Sequence, residues 1–307
     1  MQNNSSSLVH AITQDGSARI LCAITTEIVE RAHEIHSTSK TMTAALGRAL
    51  TAASLLGALL KNEKDSLTLQ IKGDGPAGTV VCVSDFKGNV RGYAENPFAE
   101  LPPNSVGKLD VGGAIGKGAL YVMRDFGSGD PYIGISELVS GEIGDDISSY
   151  FANSEQTPSV CGLGVRANPD KSCKAAGGFL VQLLPGADEE IIPKLEANIE
   201  KMTSVSQLVA EGKSAEEIIG VVFDGIPFDL FESYPIGYVC TCSREKYKNA
   251  LVGLNEKDLD ELLAENKPIE TACRFCGEKY VFSVEEIAEE RKARKAASFA
   301  EKEEENK

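Results

Sequence analysis

Four cysteines near the C-terminus, in Tyr238-Val239-Cys240-Thr241-Cys242 and Cys273-Arg274-Phe275-Cys276-Gly277, constrain this chain more than any other feature. Two close pairs thirty residues apart are a way of supplying four thiolates to one tetrahedral Zn²⁺ from two loops. The usual zinc loop is C-x-x-C, but the first pair here is C-x-C. Tight thiol pairs either share a metal or oxidise to each other, so the motif reads as scaffold or as switch.

A module of this size, from about Tyr234 to Phe282, buries too little apolar surface to fold securely alone. Structural zinc supplies roughly 10–16 kcal/mol of apparent binding free energy in small modules, and there that is folding free energy. Loss of the metal is therefore expected to unfold this end. In extended chain, Cα atoms at i and i+2 lie about 7 Å apart, at the edge of what a disulfide tolerates. Cys240 and Cys242 can join only if Thr241 sits in a turn, and such strained bonds are the readily reduced, regulatory kind. Cys273 and Cys276 have the spacing of an ordinary redox pair.

The chain carries 46 acidic against 31 basic residues, a formal charge of −15. That field repels phosphate backbones and anionic lipid, and no basic patch offsets it, so neither nucleic acid nor membrane is expected as a partner. The polar start, Met1 to Ser7, lacks the charged and apolar regions of a secretory signal. The longest weakly polar run, Ala49 to Leu60, falls well short of the ~20 residues of a bilayer span. Eight cysteines without a signal point to a reducing compartment, the cytoplasm.

Periodicity assigns an α+β fold: an N-terminal antiparallel-sheet core domain with flanking helices, a helical linker and a small C-terminal zinc module built on the four cysteines. The expected divisions are 1–185, 186–233 and 234–284, with a charged helix and tail over 285–307. In the core, Arg19 to Thr25 reads as a strand and Thr26 to Ser37 as a helix. A second helix, Lys40 to Lys61, carries Leu46, Leu50, Ala53, Leu56 and Leu60 as one packed face. Ser66 to Lys72, Thr79 to Phe86 and Val90 to Tyr93 read as a meander, followed by strands at Ala119 to Arg124, Tyr132 to Leu138, Ser159 to Val165 and Gly178 to Leu184. A short helix, Asp145 to Gln156, interrupts them. The linker reads as three short helices, the second opened by a capping-box pattern at Ser204 and the third by one at Ser214. Helices this short are marginal in water, so their order must come from docking on neighbours. In the module, Ser243 and Asn255 cap helices and Ser283 opens the charged one, with a frayed acidic tail after Ser298.

Cys-Thr-Cys-Ser-Arg-Glu at Cys240 to Glu245 and Cys-Arg-Phe-Cys-Gly at Cys273 to Gly277 resemble the paired motifs of the 33-kDa redox-regulated heat-shock chaperonin family (heat-shock protein 33). So do Gln70-Ile71-Lys72-Gly73-Asp74-Gly75-Pro76 and Ala175-Ala176-Gly177-Gly178, and the likeness extends over nearly the whole chain. The resemblance implies an ATP-independent holdase, not an enzyme, that is inactive when reduced and loaded with one Zn²⁺ on Cys240, Cys242, Cys273 and Cys276. It further implies that oxidation pairs Cys240 with Cys242 and Cys273 with Cys276, releases zinc, unfolds module and linker, and promotes homodimerisation. The exposed apolar surface would then hold unfolding client proteins during oxidative stress. Two other readings compete: an adaptor with a permanent zinc ribbon, and a thiol oxidoreductase using Cys273 and Cys276. The latter lacks the βαβ context of a thioredoxin-type site.

Other signals are weaker. Gly73-Asp74-Gly75-Pro76-Ala77-Gly78 matches a dinucleotide fingerprint, but the strand-like Thr79 to Val83 follows where a helix is needed, so it reads as a hairpin turn. Gly116-Lys117 lacks the Ser or Thr of a P-loop, and Asp125-Phe126-Gly127 reads as a turn. His33 and His36 read as a surface pair rather than a metal site, and His10 is the one remaining histidine. Cys22, Cys82 and Cys161 read as buried small hydrophobes. Cys173, in the turn-rich Asn168 to Ala176 segment, reads as exposed, a redox role being the minority reading.

Overall fold

In the computed structural model, residues 5–305 are described, with side chains as far as Arg294. The chain forms two units, Met1–Val239 and Cys240–Lys307. The polar residues 1–4 and the last two of the acidic tail lie outside the described residues.

The first unit opens with a hairpin of β1 (Ser7–Thr13) and β2 (Ala18–Ile24), followed by α1 (Thr26–His36) and α2 (Lys40–Gly57). The expected meander follows as β3 (Ser66–Gly73), β4 (Thr79–Asp85) and β5 (Val90–Ala94). After a short α3 (Val111–Ile115), β6 (Gly118–Asp125) and β7 (Tyr132–Glu137) add to the far side of β3, giving a five-stranded sheet in the order β5-β4-β3-β6-β7. Then α4 (Gly144–Ser154) leads into β8 (Ser159–Ala167) and β9 (Cys173–Leu183). Three helices, α5 (Ile191–Lys201), α6 (Val205–Ala210) and α7 (Ala215–Val222), precede two short strands, β10 (Phe228–Leu230) and β11 (Tyr234–Pro235). The second sheet runs β10-β1-β2-β9-β8, with β11 also on β1. Every strand pair in both sheets is antiparallel.

Burial explains why these segments differ in texture. β3 alternates, with Leu67, Leu69 and Ile71 buried between half-exposed neighbours, as a strand with one wet face must. β9 is buried along nearly its whole length because both faces are covered. On one face lie α1, α2 and α4, whose side chains join Leu21, Leu180, Leu69 and Val122 in one core between the two sheets. On the other face lie α5, α6 and α7, packing Leu195, Leu208, Val209, Ile218 and Ile219 against Val9, Ile20, Phe179 and Val181. The docking that these short helices require is thus found on the outer face of the second sheet.

Several expectations are corrected. α2 is not one-sided: all of its residues from Thr41 to Gly57 except Arg48 are buried, as befits a helix enclosed by sheets. It stops at Gly57 rather than Lys61, and tighter turns from Leu59 to Leu56 and from Leu60 to Gly57 finish it. A Cβ on Gly57 would stand 2.0 Å from Ser84 Oγ, so only glycine permits that close approach to β4. β9 begins at Cys173, and Cys173 is buried rather than exposed. Ser204 makes no capping bond to the backbone of α6, whereas Ser214 and Glu217 form the full capping box of α7. β1, β10, β11 and α3 had no counterpart in the sequence reading. The turn reading of Gly73 to Gly78 holds: the segment packs against α3, where Gly75 N–H donates to Ile115 O at 2.9 Å.

The second unit contains α8 (Arg244–Val252), α9 (Glu256–Ala264), a hairpin of β12 (Ile269–Ala272) and β13 (Lys279–Phe282), and α10 (Val284–Glu305). Ser243 Oγ accepts from Lys246 N and Asn255 from Asp258 N, the two caps expected. α10 stays helical to Glu305, past the point where fraying was expected. Among the described residues, the buried core of this unit is Leu251, Leu259, Ile269, Phe282 and Ile287, with Tyr247, Val252, Leu262, Leu263 and Tyr280 half-buried against it.

Candidate metal centre

The second cysteine pair sits in the tip of the β12–β13 hairpin. Cys273 N–H donates to Glu278 O, and Gly277 N–H donates to Cys273 O, both at 2.8 Å. Gly277 takes φ +75°, which glycine adopts without strain, so the chain turns sharply enough to aim both thiols the same way. The first pair lies just before α8. Ser243 caps the helix directly after Cys242, and Lys246, one turn on, donates from Nζ to Thr241 O at 2.7 Å. The C-x-C segment is thereby tied to the start of the helix.

These two loops bring their four Sγ atoms within 4.8 Å of one another. Cys240 Sγ lies 3.7 Å from Cys273 Sγ, and Cys242 Sγ lies 3.4 Å from Cys276 Sγ. A tetrahedral ion with Zn–S bonds of about 2.3 Å has S···S edges of about 3.8 Å. The donor set fits zinc in both number and softness. Among the described residues, this is the single group of three or more candidate ligand side chains.

Crowding splits the proton affinities of the thiols. Burial pushes Cys276 up to about 12, and the adjacent Cys242, Cys240 and Cys273 sulfurs hold it there. Burial also raises Cys240. Cys273 is likewise opposed by burial, but backbone N–H groups of Cys276 and Phe275 and the Tyr247 hydroxyl draw it down to about 6. A cluster that cannot shed all its protons unaided is one in which a dication takes their place.

Two tyrosines flank the cluster. Tyr280, on β13, places its hydroxyl 3.2 Å from Cys242 Sγ, and its ring lies 5.1 Å from that of Tyr247 on α8. Sequence reasoning passed over both, although Tyr280 and Phe282 alternate on β13 as a strand face should.

The other candidates stay apart from this centre. Cys22 and Cys82 are fully buried, and burial pushes their thiols far above the ordinary range, as it does for Cys161. Cys173 is pushed up to about 12 by burial and by Glu30, which accepts its backbone N–H. His33 Nδ1 lies 3.0 Å from Thr38 Oγ1, His36 Nε2 lies 2.9 Å from Gly92 O and His10 Nε2 lies 3.1 Å from Tyr234 Oη, so each ring is held in a structural contact. Asp125-Phe126-Gly127 is a turn in which Gly127 N–H donates to Asp125 Oδ1. No helix among the described residues is long and apolar enough to cross a membrane.

Comparison with known proteins agrees with the motifs. A family model described as Hsp33 protein matches residues 6–283. A relative from Clostridium tetani named 33 kDa chaperonin is 48% identical over 283 residues, spanning 92% of this chain and 96% of its own. A relative of the same name from Clostridioides difficile is 45% identical, over 92% and 97% of the two chains. The crystal structure of the 33 kDa chaperonin from Thermotoga maritima superposes with a TM-score of 0.85 at 39% identity, covering 94% of this chain and 98% of that one. The chain belongs to the Hsp33 family.

Proposed function

We propose that this protein is an ATP-independent holdase switched by the oxidation state of Cys240, Cys242, Cys273 and Cys276, which hold one Zn²⁺ in the reduced, inactive form. Family membership supports the chaperone role, and stress response with it. The observation that carries the switch is the convergence of four Sγ atoms within 4.8 Å, since sulfurs that bind a cation as thiolates surrender it on forming disulfides. When bound, zinc would keep all four sulfurs as thiolates and join the C-x-C loop to the hairpin.

Oxidation by hypochlorite or peroxide takes two electrons from each pair. An S–S bond forms between Cys240 and Cys242 and another between Cys273 and Cys276, while the oxidant is reduced to water, with chloride in the case of hypochlorite. Among the described residues, the small apolar core around Leu251, Leu259, Ile269, Phe282 and Ile287 is then left to hold the second unit, too little to keep it folded. Release of α5, α6 and α7 would bare Val9, Ile20, Phe179 and Val181 on the second sheet, a surface for unfolding clients and for a second copy of the chain. Action in the cytoplasm suits four thiols that must rest reduced.

The test is zinc content and suppression of client aggregation on one sample, before and after hypochlorite. About one equivalent of zinc should be lost as activity appears, and reductant should reverse the change. A permanent zinc ribbon would keep its metal under mild oxidation. The oxidoreductase reading is disfavoured by the site of Cys273 and Cys276, which lie in a strand–strand hairpin rather than at the start of a helix.

A further inference from the structure

We propose that Tyr280 is a positioning residue that restrains Cys242: its hydroxyl donates to Cys242 Sγ, draws charge from that sulfur and slows its attack on oxidant. This rests on the redox reading above and adds a determinant of its threshold outside the four cysteines.

The geometry is specific. The hydroxyl stands 3.2 Å from Cys242 Sγ, an O–H···S distance, and in the zinc-binding thiolate form proposed above that sulfur can only accept, which makes the tyrosine the donor. Three features hold the ring in place. Tyr280 pairs with Thr271 across the hairpin, and its carbonyl accepts from Thr271 Oγ1 at 3.3 Å. Its ring lies against that of Tyr247. Two residues on, Phe282 is fully buried beneath the Arg244 guanidinium, 4.3 Å from the ring centre, which fixes the face that β13 turns inward. Tyr247 serves the other loop, its hydroxyl 3.5 Å from Ala272 O and beside Cys273.

The consequence is chemical. In reaction with hydrogen peroxide, Cys242 Sγ attacks one oxygen, an S–O bond forms, the O–O bond breaks and two electrons pass from sulfur to oxygen, releasing one water after protonation. The Cys240 thiolate then displaces the sulfenic oxygen as a second water while the S–S bond forms. A hydrogen bond to the attacking sulfur is lost as its charge moves to oxygen, so it stabilises the starting state more than the transition state.

The experiment uses the full reduced chain and Tyr280→Phe, which keeps the ring and its packing. Zinc is quantified with a chromogenic chelator, and peroxide oxidation of each cysteine is followed by differential alkylation and mass spectrometry. In the Phe variant, Cys242 should oxidise about fivefold faster, as expected for a half-exposed bond to a charged group. Cys273 and Cys276 should keep their rates, and Tyr247→Phe should leave the Cys242 rate unchanged. An unchanged Cys242 rate in Tyr280→Phe overturns the proposal, as does equal acceleration of all four, which is mere loosening. A wild-type chain without zinc would defeat the metal reading, yet the Cys242 rate would still decide the hydrogen bond.

Discussion

Cys240 Sγ stands 3.7 Å from Cys273 Sγ, across thirty-three positions of chain, and nothing but the fold of the second unit brings them together. Replacing Cys273 by Ser removes one of four candidate ligands and the most buried of them. The variant should lose tight zinc binding and with it most of the ~10–16 kcal/mol that a structural ion supplies. Limited proteolysis should then cut freely between residues 240 and 282, while β1 to β9 stay resistant. An unaltered cleavage pattern would contradict metal-dependent folding of this unit.

A second prediction concerns Asp146. Its carboxylate, fully buried, accepts N–H groups from Val139, Ser140 and Gly141 on Oδ1 and from Ile143 on Oδ2, at 2.7 to 3.3 Å. Ile143 itself sits at φ +72°, ψ −48°, and Gly144 N–H donates to Glu142 O at 2.9 Å, so the loop makes a tight γ-turn at a β-branched residue. Such a conformation costs on the order of 1–3 kcal/mol and persists because the carboxylate holds it. Asp146→Asn puts an NH₂ where one oxygen accepted. We expect a loss of about 2–3 kcal/mol and a Tm lower by about 5–10 °C in thermal denaturation.

Alkaline stability provides a third test. Cys22, Cys82 and Cys161 have folded-state pKa values raised by burial, so the folded chain keeps protons that the unfolded chain releases. Their contribution is whole below the unfolded thiol pKa of about 8.5 and is lost as pH rises above it. By pH 9.5, one unit above the unfolded pKa, the loss is about 1.4 kcal/mol for each thiol. Urea titrations of the first unit's transition should show this decline, with a shallower slope in Cys22→Ala/Cys82→Ala.

Ile218 tests the covering of the second sheet. It is fully buried on α7, in the cluster that includes Ile20 and Phe179. Ile218→Asn should cost about 3 kcal/mol or more by loss of packing and burial of an amide. Binding of an apolar fluorescent dye by the reduced chain should rise while zinc content is unchanged. Absence of extra dye binding would mean that the helices hold without this contact.

Legibility in the sequence followed the strength of local signals. The alternation of Leu67, Leu69 and Ile71 and the caps at Ser214, Ser243 and Asn255 are decided by neighbours in sequence, and the structure has them. β10 and β11 are three and two residues long and exist through pairing with β1, which no local pattern encodes. Cys173 is buried despite its turn-rich surroundings because Asn168 to Ser172 is a true turn and strand β9 starts immediately after it. The four cysteines were legible from spacing, whereas Tyr280 was not, because its role depends on which face of β13 meets the C-x-C loop.

Strand β1 is bonded on one side to β2, its immediate successor, and on the other to residues 228–230 and 234–235. Ala11 faces Leu230, so that border of the sheet cannot be sealed until synthesis has passed Pro235 and the fragment has cleared the ribosome. During translation a nascent chain of more than two hundred residues therefore carries an open ladder of amides and carbonyls, ready to pair with a foreign strand. Slowing elongation just before Phe228 lengthens that exposure and should raise the insoluble fraction.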